Sequence, residues 1–201
     1  MRLSKVLAVA SSIGVVLACA PVAEAISPAN RLDTAIGRAN PYVSQEVIDN
    51  LPSSVLDRSD IWIDPTVSVD TVWLTPEGDV IPDQNISAKS VSAIRQNRWT
   101  AVSPAFTSGV EVKSNEGYIG LDSNTTITYH RTTDSNSGGT SCWTVKHFVP
   151  KIPTVSDWQE EWTGAGCADG SKSVSWGKIA AVPSVKLSNN GHIGWAGEFY
   201  I

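Results

Sequence analysis

Apolar positions along the chain follow a helical period first and a twofold period afterwards. Val43, Val47, Ile48 and Leu51 recur at helical spacing behind Asn40-Pro41, a capping residue before a proline, and Pro52 ends the run, which predicts a helix. A shorter helical pattern at Leu32, Ala35 and Ile36 follows Ser27-Pro28. From Asp60 onward Ile61 and Ile63, then Val67, Val69, Thr71 and Trp73, occupy alternate positions, as half-buried strands do. Thr75-Pro76-Glu77-Gly78 has the residues of a turn that would fold 67–74 back on 79–81. Residues 86–99 fit a helix capped by Ser87 and a strand about equally.

Beyond that point the chain reads as strands and turns. Segments 109–113 and 118–121 flank Ser114-Asn115-Glu116-Gly117, a hairpin loop by composition. In 125–133, Ile127 and Tyr129 share one face while Thr126, Thr128 and His130 share the other, as in a sheet with one wet side. A polar tip at 134–139 leads into a return strand at 141–149. Ser156-Asp157-Trp158-Gln159 has capping-box spacing and predicts a helical turn or two, with Trp158 and Trp162 on one face. The ending is the most regular stretch: Ile193, Trp195, Gly197, Phe199 and Ile201 alternate strictly, which sends them together into a core with His192, Glu198 and Tyr200 outside. Before them stand Asn190-Gly191, the preferred two-residue hairpin pair, and an incoming strand with Val185 and Leu187. Gly197 predicts room for a large neighbour such as an indole, or a bulge. Many short, turn-bounded strands predict a mainly β fold, an antiparallel β-sandwich with a small β-barrel as second choice, preceded by short helices.

The N-terminus changes the bookkeeping. Met1-Arg2-Leu3-Ser4-Lys5, a small apolar run from Val6 to Ala20 and then Ala23-Glu24-Ala25 read as an export signal over 1–25, the run being shorter than the roughly 18 residues a membrane span needs. Val16-Leu17-Ala18-Cys19 also resembles a bacterial lipobox, so lipid anchoring at Cys19 is the alternative to a secreted protein. With 1–25 removed, 201 − 25 = 176 residues remain, with no transmembrane span expected. They divide into an acidic segment at 26–58 with short helices and a β domain at 59–201. Residues 26–85 hold three arginines against ten acids, and 86–201 hold ten basic and nine acidic side chains, a balance that predicts no nucleic-acid partner. Cys142 and Cys167, the cysteines left outside the leader, predict a disulfide in an oxidising compartment.

Chemistry is sparse. No GxSxG, HExxH, GxGxxG, phosphate-loop or calcium-loop pattern occurs, so no cofactor and no metal are expected and no catalytic residue is assigned. His130, His147 and His192 lie on or beside predicted strands, each read more simply as a surface histidine than as a metal ligand. Eight tryptophans stand out. Trp73, Trp143, Trp176 and Trp195 share strand faces with apolar residues and read as core, whereas Trp158 and Trp162, in a polar, Gly-flanked excursion, are the candidate ligand-binding pair. These features predict a secreted, non-enzymatic module whose partner is a glycan, an envelope component or another protein. The alternative is a small secreted hydrolase with acid and base drawn from His130, His147, His192, Asp134, Asp157, Glu160 and Glu161.

Overall fold

The computed structural model describes residues 40–58, 60–75, 97–151 and 157–201. The leader, the helical pattern at 32–36, the return strand at 79–81 and the stretch 86–96 lie outside them. Helices α1 (Gln45–Asp49) and α2 (Ser53–Leu56) precede strands β1 (Trp62–Ile63), β2 (Val72–Leu74), β3 (Arg98–Ser103), β4 (Thr107–Lys113), β5 (Glu116–Ile119) and β6 (Thr126–Thr133). Then follow β7 (Cys142–Pro150), β8 (Trp158–Gly166), β9 (Gly170–Ser175), β10 (Ile179–Ala181), β11 (Ser184–Asn189) and β12 (Trp195–Tyr200).

The expected helix is present but shorter, and its cap is Ser44, whose Oγ accepts the Val47 N–H at 3.4 Å. Asn40 has a different job: it is buried, and its Nδ2 donates to the Ile63 carbonyl at 3.0 Å, tying the entry of the helical segment to β1. Val43, Val47, Ile48, Leu51 and Val55 then pack with Ile61, Ile63, Trp73, Ile119 and Ala180 in one apolar cluster. Helices this short have little stability of their own and are held by that burial.

Two antiparallel four-stranded sheets, ordered β4-β11-β7-β8 and β3-β12-β6-β9, face each other as a sandwich and do not close into a barrel. Trp143 from one and Phe199 from the other meet with ring centroids 5.4 Å apart, and Val145, Val185, Leu187, Tyr129 and Trp195 fill the space around them. Trp73, Trp143, Trp176 and Trp195 are all buried as expected, Trp176 from the residue just past β9. The third sheet, β1-β10-β5-β2, sits under the helices and includes two parallel pairs, β1 with β10 and β2 with β5.

Three expected hairpins are not hairpins. β4 and β5 lie in different sheets, because the chain runs on through Ser114 rather than reversing there. The β10–β11 segment accompanies it, and both pass from one sheet to the other together, pinned where Ser114 N–H donates to the Pro183 carbonyl at 2.8 Å. Likewise β6 pairs with β12 and β9 while β7 pairs with β11 and β8, and β11 and β12 belong to opposite sheets. Turn residues specify a change of direction, and here the chain spends it on crossing the sandwich.

The helical turn expected at 157–162 is also absent. Trp158 opens β8, an edge strand paired antiparallel with β7, where its ladder bonds outweigh the local capping-box pattern. Cys142 and Cys167 are bridged, joining the start of β7 to the residue just past β8. The bridge closes 167 − 142 − 1 = 24 residues, and the chain-entropy account gives it roughly 3 kcal/mol. Replacing both cysteines with serine should therefore lower stability by roughly that amount in urea titration; an unchanged midpoint would mean that the β7–β8 ladder alone holds the edge.

Along β12 the alternation is as expected for Trp195, Gly197 and Phe199, and Ile201 is half-buried against the core. Ile193 is the exception, 60% exposed, because it lies in the crossing between sheets, ahead of the strand. Gly197 leaves room for an indole, that of Trp195 itself: a Cβ there would strike that ring and the Thr132 carbonyl.

Candidate functional site

At one end of the sandwich, three chain segments converge: the β3–β4 turn, the 134–139 loop and the β11–β12 crossing. Asn189, fully buried, assembles two of them. Its Nδ2 donates to the carbonyls of Ser103 at 3.3 Å and Ile193 at 2.8 Å, and its Oδ1 accepts the Gly191 N–H at 2.8 Å. Phe106 N–H adds a bond to the Gly191 carbonyl at 3.3 Å. The third segment is fixed by Asp134 N–H to the Ala196 carbonyl at 3.0 Å and by Ala196 N–H to Ser137 Oγ at 3.1 Å. Gly139 allows the close approach, since a Cβ there would collide with the carbonyls of Ile193 and Gly194.

This scaffold holds apolar side chains out of the core. Val102, Phe106 and Ile193 are 60, 66 and 60% exposed, and the His192 imidazole meets the Phe106 ring edge-on at 4.8 Å. Phe106 has φ of 55°, the only positive φ outside glycine among the described residues. For a bulky residue that conformation costs about 1–2 kcal/mol, which the turn bonds must offset. A shallow cavity of about 330 Å³ opens beside Ile193, between Val102 and the 134–138 loop, where Asp134, Asn136 and Ser137 supply polar atoms. An apolar ledge beside a few polar groups is the composition of a small-molecule site.

The residues singled out from sequence are placed elsewhere. Trp158 is 7% exposed and packs in the core over Gly177, whose φ of 70° and missing Cβ make space for the ring, so it offers no ligand surface. Trp162 is partly exposed on β8, but Lys186 Nζ stands 3.7 Å from its ring centroid and its Nε1 donates to Glu160 Oε1 at 2.7 Å. The three histidines do not converge. His130 stacks on Tyr200 at 4.6 Å, His147 faces Glu161 across the β7–β8 ladder at 4.0 Å, and His192 lies at the loop end. Among the described residues no cluster of His, Cys, Asp and Glu could hold a metal ion.

One titratable cluster takes a single member of the expected set, Glu160, together with two residues outside it. Lys146 on β7 and Asp64 just past β1 are each 3% exposed and meet at 2.6 Å, with Glu160 of β8 3.2 Å from the same ammonium. Burial pushes the Asp64 carboxyl up, but Lys146 and the donors of Thr66 outweigh it and hold the group below its ordinary value. Asp64 and Lys146 are 82 residues apart, so nothing local in the sequence announces the pair.

No protein-family model and no curated protein matches the chain. Among solved structures it is similar to a chain titled "Family 16 Carbohydrate Binding Module-2", at 10% identity and a TM-score of 0.24, covering 55% of this chain and 74% of that one. A likeness of that size bears on neither fold nor ligand. Among the described residues no helix is long and apolar enough to cross a membrane.

Proposed function

We propose that this is a secreted, non-enzymatic binding module whose loop end takes a sugar-containing ligand. The observations that support it are the shallow cavity lined by exposed Val102 and Ile193 with Asp134 and Asn136, and, at the same end of the sandwich, the exposed Phe106 held at a φ of 55° against His192. Strained backbone that keeps an aromatic ring in solvent has no use in packing, and such strain concentrates at binding sites. A pyranose presents C–H groups to apolar surface and hydroxyls to acceptors and amides, and here Val102 and Ile193 line the cavity with Asp134 and Asn136 as polar partners, while Phe106 offers an exposed ring at the same loop end.

The test is binding and turnover of the full exported protein against a glycan array and cell-wall fractions. The expected result is binding without hydrolysis, weakened at least tenfold by Phe106→Gly. That substitution relieves the left-handed strain and touches no buried packing, so the variant should melt no lower than the parent. Undiminished binding by the variant, or hydrolysis of any bound glycan, would overturn the reading.

A further inference from the structure

The buried Lys146–Asp64 pair is far from the loop end and has no part in sugar binding. Around it the groups are arranged for more than charge pairing. Lys146 Nζ is 2.6 Å from Asp64 Oδ2, while the other oxygen, Oδ1, accepts the Thr66 N–H at 2.9 Å and its hydroxyl at 2.8 Å. Glu160 Oε2 lies 3.2 Å from the same Nζ, and its Oε1 is anchored by the Trp162 indole N–H at 2.7 Å. The Phe148 ring, 5.3 Å from Nζ, closes the apolar side. An amine and a carboxyl are thus in contact, away from water, with a second carboxylate on the amine and two donors on the carboxyl oxygen that points away from it.

We propose that Lys146 and Asp64 condense into an intramolecular amide, covalently joining β7 to the segment after β1. Glu160 takes one proton from the Lys146 ammonium and delivers it to Asp64 Oδ2, which leaves a neutral amine beside a neutral acid. The Nζ lone pair attacks Cγ, the N–Cγ bond forms, and the charge that develops on Oδ1 is met by Thr66 N–H and Oγ1–H. Glu160 then carries a second proton from nitrogen to Oδ2, the Cγ–Oδ2 bond breaks, the Cγ–Oδ1 double bond re-forms and water leaves. Of the three ammonium hydrogens one stays on the amide and two depart in the water. Glu160 is regenerated, and no oxidant or co-reactant is consumed.

Two physical terms favour the step. A buried ion pair carries a desolvation cost that a neutral amide avoids. Fixing the two groups in contact supplies an effective concentration on the order of 10⁵ M or more, in place of a bimolecular encounter. Glu160 is 39% exposed, which gives the released water a way out.

Mass spectrometry of the full exported protein, reduced and denatured, tests the proposal. Against the mass calculated from its measured N-terminus, it should be lighter by one water, about 18 Da. Trypsin should leave Lys146 uncut and yield a branched peptide joining 59–89 to 132–151. Glu160→Gln keeps both reacting groups but not the proton relay, so it should show the full mass while circular dichroism remains that of the folded parent. Full mass in the parent, with cleavage after Lys146, would mean an ion pair alone and would overturn the amide. A condensed Glu160→Gln variant would overturn the role given to Glu160.

Discussion

Replacing Trp195 by alanine should lower stability by about 3 to 5 kcal/mol, the range for truncating a buried large aromatic, enough to threaten a domain of ordinary margin. The ring is 1% exposed and lies 6.0 Å from Phe199, its Nε1 donates to Thr133 Oγ1 at 3.0 Å, and it fits the hollow left by Gly197. It also has a charged neighbour. The Arg131 guanidinium, in a side chain 1% exposed, stacks over the indole at 4.4 Å and donates to the Ser141 carbonyl at 2.5 Å. Removing the ring takes away a cation–π partner from a buried charge as well as leaving a cavity, so the upper half of the range is expected. Glu198→Ala is the control on the same strand. Glu198 is 42% exposed and pairs with Arg98 at 2.6 Å, a surface ion pair worth about 0–1 kcal/mol. Urea titration of both variants measures the contrast, and equally mild losses would mean that β12 is not a core strand.

The strand faces were legible in the sequence and the strand partners were not. Ile127 and Tyr129, or Trp195 and Phe199, announce a buried face by alternation, because side-chain direction is a property of one strand. Pairing is a property of two. Asn190-Gly191 marks a reversal that takes the chain into the opposite sheet, and Ser114 to Gly117 marks no reversal at all. Ile193 shows the limit of the pattern, since it keeps the phase of Trp195 yet stands outside the strand. Around Trp158, the spacing of two tryptophans with glutamates between them suits a helix face and an edge strand alike, and the ladder to β7 decided between them.

Of the loop-end site the sequence carried little. Phe106 follows Pro104-Ala105 as an unremarked turn residue, and its positive φ comes from bonds to Gly191 and from the Asn189 network that fixes the crossing. That network joins segments 86 residues apart through Asn189 and Ser103. A buried asparagine is the one signal that could have pointed there, and burial cannot be read from an asparagine in a strand of mixed character. The indole count suggested exposed aromatic surface, but Trp158 is packed into the core and Trp162 is covered in part by Lys186, while a phenylalanine at a turn is left outside.

Lys146→Ala should be the second severe substitution, at about 3 to 5 kcal/mol, because it strands a carboxylate in the interior. Asp64 is 3% exposed and keeps only its Thr66 bonds once the ammonium is gone, and Glu160 loses its partner as well. The loss should be felt at the join between the helical segment and the sandwich, since Asp64 N–H also donates to the Ala180 carbonyl at 2.9 Å in the third sheet. Glu160→Gln divides this cost in two. It leaves the Lys146–Asp64 contact in place while stopping condensation, so the step from parent to Glu160→Gln measures the amide together with the Lys146–Glu160 pair, and the step from there to the double variant Glu160→Gln, Lys146→Ala measures the Lys146–Asp64 ion pair. Urea titration followed by tryptophan fluorescence reads both steps. A Lys146→Ala variant as stable as the parent would show that the segment is held by its apolar cluster alone, through Ile61, Ile63 and Val55 against Ile119 and Ala180.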